Sequence, residues 1–189
     1  DGSDLQDPEQ RAGFERLARR AMQGMAGWVE LRAPGRVLIS TRLPEGSNAT
    51  SPGPATLSPV ALMQPLAPSG GAQPGASPDL HAAWVEPVMR DGRLLYNLVV
   101  TVQPSELQRI VDAQSPQSGW IGTVMDNTGH VVARQPGGAA FIGRERGADL
   151  RAAMAGGTEG AFQSTSLDGV RTAGYFSTSP LGWSYVSAM

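Results

Sequence analysis

The stretch Trp120–Gln135, WIGTVMDNTGHVVARQ, decides how the rest of the chain is interpreted. Two apolar runs flank a polar break, Asp126-Asn127-Thr128-Gly129. Asp and Asn side chains bond to their own backbone in turns, and Gly adopts a positive φ without steric cost. The pattern therefore predicts a β-hairpin whose corner is structural, so that function must come from the residues around it.

The chain that follows this hairpin also consists of short predicted elements separated by turn sequences. GADLRAAMAGG, residues 147–157, is predicted to be a short helix that ends at glycines. Asp168-Gly169 and Pro180-Leu181-Gly182 are turn sequences, and they separate three strands. The strands are EGAFQSTS (159–166), VRTAGYFSTS (170–179) and GWSYVSA (182–188).

The chain that precedes the hairpin repeats the pattern. Asp7-Pro8-Glu9 is a good helix start, because Asp caps the N-terminus and Pro suits the first helical position. Asp91-Gly92 is one of the strongest short hairpin signals. The predicted elements are a helix from residue 9, a strand pair at 28–33 and 35–41, a second pair at 81–90 and 93–103, and a helix at 104–114.

A proline-rich segment, residues 44–78, interrupts this first half. It holds eight of the fifteen prolines and a single charged residue, Glu45. A loop of this length is uncommon in a compact domain and favours a functional or disordered segment. Within it, TLSPVALM (Thr56–Met63) is expected to form a short turn of helix.

The order of the elements predicts an α+β fold made of two tandem units. Each unit combines antiparallel strands with helices on one face, which is a common layered architecture. We expect the first unit to span residues 1–103 and the second to span residues 104–189. Each length lies within the roughly 50–250 residues of ordinary domains.

Composition excludes several functional classes. The net charge is -2 and no basic stripe is present, which argues against a nucleic-acid partner. The chain has no cysteine and two histidines, without metal-ligand spacing, so we expect neither a bound metal nor a cofactor. No nucleophile-elbow, zinc-protease or phosphate-loop motif occurs, so we expect this chain to be no enzyme. No apolar run is long enough to span a membrane.

Two stretches carry a family resemblance. GWIGTVMDNTGHVVARQPGGAAFIGRE and LRAAMAGGTEGAFQSTSLDGVRTAGYFSTSPLGWSYVSA together resemble the membrane-proximal half of a double Cache domain. This PAS-like module is the extracytoplasmic sensor of bacterial receptors. WVELRAPGRVLISTRLPEG and WVEPVMRDGRLLYNLVVTVQPSELQRIV resemble its membrane-distal half, although the proline-rich segment replaces the usual pocket cover.

The resemblance implies the periplasmic sensor domain of a transmembrane receptor, such as a histidine kinase. Transmembrane helices outside this sequence would anchor the domain, and a small molecule, an organic acid or an amino acid, would be its ligand. The resemblance leaves open whether the domain forms a homodimer. The alternative is a protein-interaction or structural module that has no small-molecule pocket.

Six residues are candidate ligand contacts. In the second half, Arg134 ends a strand and offers a planar guanidinium suited to a carboxylate. Tyr175 precedes Phe176 on a strand, so one of the pair faces the core and the other faces a pocket or solvent. Phe141 is expected to pack beneath a loop. Trp84 and Tyr96 flank the Asp91-Gly92 turn and form either an ordinary cross-strand aromatic pair or the wall of a pocket under the proline-rich segment, where His81 would supply a polar group.

Overall fold

The computed structural model describes residues 5, 7–44, 60–65, 80–114 and 118–189. Two five-stranded sheets, each with antiparallel pairing and flanking helices, account for most of them. The predicted α+β class with two antiparallel sheets is therefore confirmed.

The chain divides into two compact units. The first has the bounds Asp1–Val60 and Ala83–Val102, and the second has the bounds Ala61–Ala82 and Gln103–Met189. The domain boundaries predicted from the sequence, at residues 103 and 104, stay a prediction. Residues 45–59 and 66–78 of the proline-rich segment lie outside the described residues.

The first helix, α1 (Pro8–Ala21), begins as its sequence predicts. The Asp7 side chain accepts a hydrogen bond from the backbone N–H of Glu9 at 3.0 Å, which satisfies a donor that the first turn leaves free. Farther along, the Arg19 guanidinium donates to the carbonyl oxygens of Thr41 at 2.9 Å and Leu43 at 2.6 Å. These bonds attach the helix to the chain that follows the first hairpin.

The first sheet has the strand order β2-β1-β5-β4-β3. Its strands are β1 (Gly27–Ala33), β2 (Arg36–Ser40), β3 (Val60–Pro65), β4 (Leu80–Arg90) and β5 (Arg93–Val102). Asp91 and Gly92 both have positive φ, 50° and 73°, as the predicted two-residue turn requires. The hairpins predicted on either side of the proline-rich segment are thus confirmed.

The interpretation of residues 56–63 as helical is wrong over the described part, because Val60–Pro65 forms strand β3. This strand lies at the edge of the first sheet, next to β4. An edge strand accepts a terminal proline, since one side of its backbone needs no partner. Because prolines are frequent around Val60–Pro65, the preference of its β-branched and apolar residues for a strand was not recognised in the sequence.

The second sheet has the order β7-β6-β10-β9-β8, with every neighbouring pair antiparallel. Its edges are therefore β7 and β8. The elements of this unit are α2 (Pro104–Gln114), β6 (Ile121–Met125), β7 (Val131–Gln135), a 3₁₀ turn (Gly138–Ala140), α3 (Ala148–Met154), β8 (Glu159–Thr165), β9 (Arg171–Thr178) and β10 (Ser184–Ala188).

The DNTG segment is the corner of the β6–β7 hairpin, as predicted. The Asp126 side chain is almost fully buried, with 1% of the residue exposed, and one of its oxygens, Oδ1, accepts three hydrogen bonds. The donors are the backbone N–H of Thr128 at 3.0 Å, the Thr128 hydroxyl at 2.7 Å and the backbone N–H of His130 at 2.9 Å. The turn closes through Gly129, whose φ is 88°.

One row of paired residues explains which face of this sheet is buried. Gly160 pairs with Phe176, Phe176 with Val186, Val186 with Thr123, and Thr123 with Arg134. Directly paired residues point to the same side of a sheet. Phe176 is 2% exposed and belongs to the unit's hydrophobic core, so the register places Arg134 on the core side too.

Gly174 is required by the close approach of β9 and β10. A Cβ at this position would lie 2.0 Å from the carbonyl oxygen of Ser187 and 2.8 Å from the Cα of Ala188. Both are backbone atoms, so neither can rotate away. We expect Gly174→Ala to lower the free energy of unfolding by about 3 kcal/mol, the upper end for overpacking.

Chemical denaturation of the variant measures this effect. Gly156→Ala is the matched control, because its new methyl group would lie 3.8 Å from its nearest neighbour, the Ala153 carbonyl oxygen. The control should change stability by less than about 0.5 kcal/mol. Equal stabilities for the two variants would show that β9 and β10 do not approach this closely.

Candidate functional site

A cavity of about 50 Å³ lies in the second unit, against the core face of its sheet. Strands of the sheet, helix α3 and the loop between β8 and β9 all contribute to its wall. The wall is mainly apolar, with several hydroxyl groups and two arginines, Arg134 and Arg146. None of the described residues that line it is acidic.

Arg134 is the most deeply buried charge in this wall, with only 2% of the residue exposed. Its Nη2 donates to Asp168 Oδ1 at 2.9 Å. Its Cζ lies 3.8 Å from the centre of the Phe141 ring, a cation–π distance. Its Nη1 is buried and has no hydrogen-bond partner among the described residues. One nitrogen of this guanidinium is therefore without a hydrogen-bond partner among the described residues.

The backbone of Arg134 is held by the side chain of Gln108, from helix α2. The Arg134 N–H donates to Gln108 Oε1 at 3.0 Å, and Gln108 Nε2 donates to the Arg134 carbonyl oxygen at 2.8 Å. Because β7 is an edge strand, this amide takes the place of a neighbouring strand. Gln108 Nε2 also donates to Asp112 Oδ1 at 2.8 Å. Helix α2 thus fixes the position of Arg134 directly.

Arg146 reaches the cavity because of the glycine in the DNTG turn. A Cβ at Gly129 would lie 2.8 Å from Arg146 Nε and 2.9 Å from its Cζ, so a side chain at this position would displace the guanidinium. Arg146 Nη1 contacts Met154 Sδ at 3.7 Å. Its Nε is buried and has no hydrogen-bond partner within the described part of the chain. The structural turn therefore also shapes the site.

Asp168 is the counter-ion of Arg134 and lies on the turn between β8 and β9. A hydrogen bond from the Ser166 side chain, followed by the hydrogen bond and positive charge of Arg134, holds the pKa of Asp168 below its ordinary value of 3.8. Partial burial opposes this by raising the pKa. The lower pKa means that folding favours the charged carboxylate.

Asp168→Asn tests this ion pair through its pH dependence. A carboxyl whose pKa is lowered on folding stabilises the protein fully above its unfolded value, and the stabilisation is lost as pH falls through the folded value. The side chain of Asp168 is 42% exposed, so water screens the pair and we expect about 1 kcal/mol at neutral pH. Denaturation of both proteins across pH should show a constant difference well above pH 3.8 that shrinks below it. A difference that grows as pH falls would contradict this assignment.

The structure separates the other two candidates of the second half. Phe141 packs between two arginines, with its ring centre 3.8 Å from the Cζ of Arg134 and 5.3 Å from the Cζ of Arg144. Tyr175 is 49% exposed, while its neighbour Phe176 faces the core. Tyr175 therefore faces solvent rather than the cavity. Phe141 is not among the residues that line the cavity, but its ring packs against the guanidinium of Arg134, which does line it.

The candidates on β4 and β5 do not form one cluster. Tyr96 is buried in a hydrophobic cluster with Leu31, Leu38 and Ile39. His81 is also buried, whereas Trp84 is half-buried and lies outside that cluster. A role for Trp84, Tyr96 or His81 in ligand binding stays a prediction.

Two residues of the site carried little sequence signal. Arg146 lies in an irregular loop where no periodicity marks the direction of a side chain. Asp168 was predicted only as a turn residue, and its partner Arg134 is 34 positions away in the chain. Gly129 and Arg146 are distant in the sequence, so the contact between them can be recognised only when the fold of the hairpin is known.

The two sheets with their helices have the fold of the extracellular and periplasmic sensor domains of histidine kinases and chemoreceptors, as the resemblance to double Cache domains predicted. The extracellular domain of rpHK1S-Z16, a protein assigned as a histidine kinase, is 13% identical, with a TM-score of 0.67 over 93% of this chain and 76% of that chain. The corresponding domain of mmHK1S-Z3 is also 13% identical, with a TM-score of 0.65 over 98% and 80%.

A chemoreceptor of Pseudomonas aeruginosa PAO1 shares the same fold. The ligand-binding domain of its amino acid chemoreceptor PctC, in complex with GABA, is 14% identical, with a TM-score of 0.53 over 98% of this chain and 83% of that chain. No protein-family model and no curated protein sequence matches the chain. At these identities the similarity establishes the fold, and function has to be argued from the site.

Two further properties of the described residues concern membrane spans and metal sites. No described helix is long and apolar enough to cross a lipid bilayer. Within the same residues, no three His, Asp or Glu side chains are grouped so that they could hold a metal ion. The cavity and its two arginines are therefore the feature from which we argue function.

Proposed function

We propose that the chain is the periplasmic sensor domain of a transmembrane signalling receptor of the histidine kinase type, and that it binds a small anionic molecule in the cavity of its second unit. Two observations support this: the fold, shared with sensor domains of histidine kinases and chemoreceptors, and the buried guanidinium of Arg134. The proposal includes attachment of the receptor to the membrane. The domain itself carries out recognition and not catalysis.

The unpartnered Nη1 of Arg134 is the observation that carries the proposal. A buried polar group without a hydrogen bond costs about 1–3 kcal/mol, and more when it is charged. A ligand oxygen at this position would remove that cost and form a charge-assisted hydrogen bond. The guanidinium is also pre-positioned by Phe141 and Gln108, so little order has to be created on binding.

The size of the cavity limits the ligand. Pockets for drug-sized molecules measure roughly 300–1,000 Å³, whereas this cavity measures about 50 Å³. It exceeds the roughly 10–15 Å³ that one water needs, so it accommodates a few non-hydrogen atoms. A small metabolite fits these dimensions, and a peptide or a nucleotide does not.

Gln108 supplies a route by which binding could reach the rest of the receptor. It joins helix α2 to the backbone of the residue that would hold the ligand. A ligand that shifts Arg134 would therefore bias the position of α2. The signal can be no larger than the difference in ligand affinity between the two states of the domain.

A thermal-shift screen of organic acids, amino acids and amines tests the proposal. A ligand at 100 times its dissociation constant should stabilise the fold by about 2.7 kcal/mol. We expect stabilising compounds among the small organic acids. If no small molecule raises the melting temperature, the sensor proposal fails and a protein-interaction module becomes the better reading.

A further inference from the structure

A second cation faces the same cavity as Arg134, and no role has been assigned to it so far. The Nε of Arg146 is buried, has no hydrogen-bond partner among the described residues, and belongs to a side chain that lines the cavity. Arg146 forms no ion pair within the described ranges. The acidic residue next to it in the chain, Glu145, pairs instead with Arg151 of helix α3. The cavity therefore has two guanidinium groups, each with a buried donor available.

The charges around the cavity do not balance. Arg134 and Arg146 contribute two positive charges, and Asp168, bonded to Nη2 of Arg134, contributes one negative charge. Among the described lining residues none is acidic, so none of them offsets the remaining positive charge. A charge in a poorly hydrated site is stable only when it is paired and hydrogen-bonded. A single negative charge from a ligand would complete the pairing without moving Asp168.

We infer that the cavity binds a short aliphatic monocarboxylate, with its carboxylate held by Arg134 Nη1 and Arg146 Nε. This inference rests on the proposed function and names the ligand class and a second binding residue for that site. The donors come from different guanidinium groups, and each would make a charge-assisted bond to an oxygen of the ligand.

The rest of the wall defines the tail of this ligand. The side chains of Ile121, Met125, Leu150, Phe162 and Val186 form an apolar surface suited to a hydrocarbon chain. A cavity of about 50 Å³ has space for roughly four groups of water size, given about 10–15 Å³ for each. Acetate has about four non-hydrogen atoms and matches this number, and propionate and butyrate, with about five and six, come close to it because bonded atoms lie nearer together than separate waters.

The same features argue against two related ligand classes. A dicarboxylate would bring a second negative charge into a site that needs only one, and would place it against the apolar wall. An amino acid would bring an ammonium group, which has no carboxylate partner among the lining residues. The charge balance therefore predicts selectivity, and not only affinity.

Isothermal titration of the 189-residue protein tests the inference. Propionate should bind, and propionamide, which has the same shape without the charge, should bind at least about 100-fold more weakly, since charged hydrogen bonds contribute about 1.5–3 kcal/mol each. Succinate and alanine should bind at least about 10-fold more weakly than propionate, for the unpaired charge each would bury.

Arg146→Met tests the second donor. Loss of one charged hydrogen bond should weaken propionate binding by about 10–100-fold. Arg151→Met is the matched control, because Arg151 is exposed, pairs with Glu145 and does not line the cavity. It should leave the affinity unchanged. An unaltered propionate affinity in Arg146→Met would exclude Arg146 from the site. If that variant does not fold, the ligand selectivity of the unaltered protein tests the inference instead.

The outcomes separate this inference from the proposed function. If succinate or alanine binds more tightly than propionate and its binding requires Arg134, the monocarboxylate inference is wrong while the proposed site stands. If propionamide binds as well as propionate, the charge argument is wrong. If no ligand depends on Arg134, the proposed function itself is contradicted.

Discussion

Arg134→Met is expected to weaken the binding of an acidic ligand by about 10–100-fold. Among the described residues, Arg134 is the one buried cation that lines the cavity, and a charge-assisted hydrogen bond to such a group contributes about 1.5–3 kcal/mol. Methionine keeps much of the apolar contact with Phe141, because its side chain is long and adaptable. Titration calorimetry with a stabilising acid from the screen measures the loss.

The fold should survive this substitution. Removing one partner of an ion pair is costly when the charge left behind stays buried, but the Asp168 carboxylate is 42% exposed and can be hydrated. Arg144→Met is the matched control, since Arg144 also faces the Phe141 ring, at 5.3 Å, but does not line the cavity. An affinity that Arg134→Met changes no more than the control does would exclude Arg134 from ligand binding.

Asp126→Ala is expected to lower the free energy of unfolding by about 3 kcal/mol. One oxygen of this buried carboxylate accepts three hydrogen bonds within the turn, and each typical bond contributes about 1 kcal/mol. The turn fixes the start of β7, so its loss would also loosen the strand that carries Arg134. Chemical denaturation measures the change.

Asp126→Asn separates the role of the oxygen from the role of the charge. The amide keeps an acceptor at the Oδ1 position, so this variant should retain most of the stability that Asp126→Ala loses. If both variants lose the same amount, the three hydrogen bonds do not account for the contribution of Asp126. If neither loses more than about 0.5 kcal/mol, the turn does not depend on this side chain.

The helix cap and the turns could be predicted from the sequence, because each depends only on a few adjacent residues. The Asp7 cap, the Asp91-Gly92 turn and the DNTG corner are each determined by a few adjacent residues, and each is confirmed. Strand β3 could not be recognised in this way, because its stability comes from pairing beside β4 and not from its own proline-rich surroundings.

The candidate site was predictable only in part, because it is assembled from distant segments. The sequence predicts that Tyr175 and Phe176 face opposite ways, but only the position of α3 and the loops decides which of them is buried. Arg134 could be selected for its chemistry alone. Its burial depends on its pairing with Thr123 and on Gln108 from another element, neither of which is visible in local sequence.

The most direct test of the central claim is a crystal structure of the protein grown with a stabilising small acid. We expect ligand density in the cavity of the second unit, with a carboxylate oxygen about 2.7–2.9 Å from Arg134 Nη1, the usual length of a charge-assisted bond. Ligand density beside Tyr96 or His81, with the cavity at Arg134 holding no ligand, would contradict it.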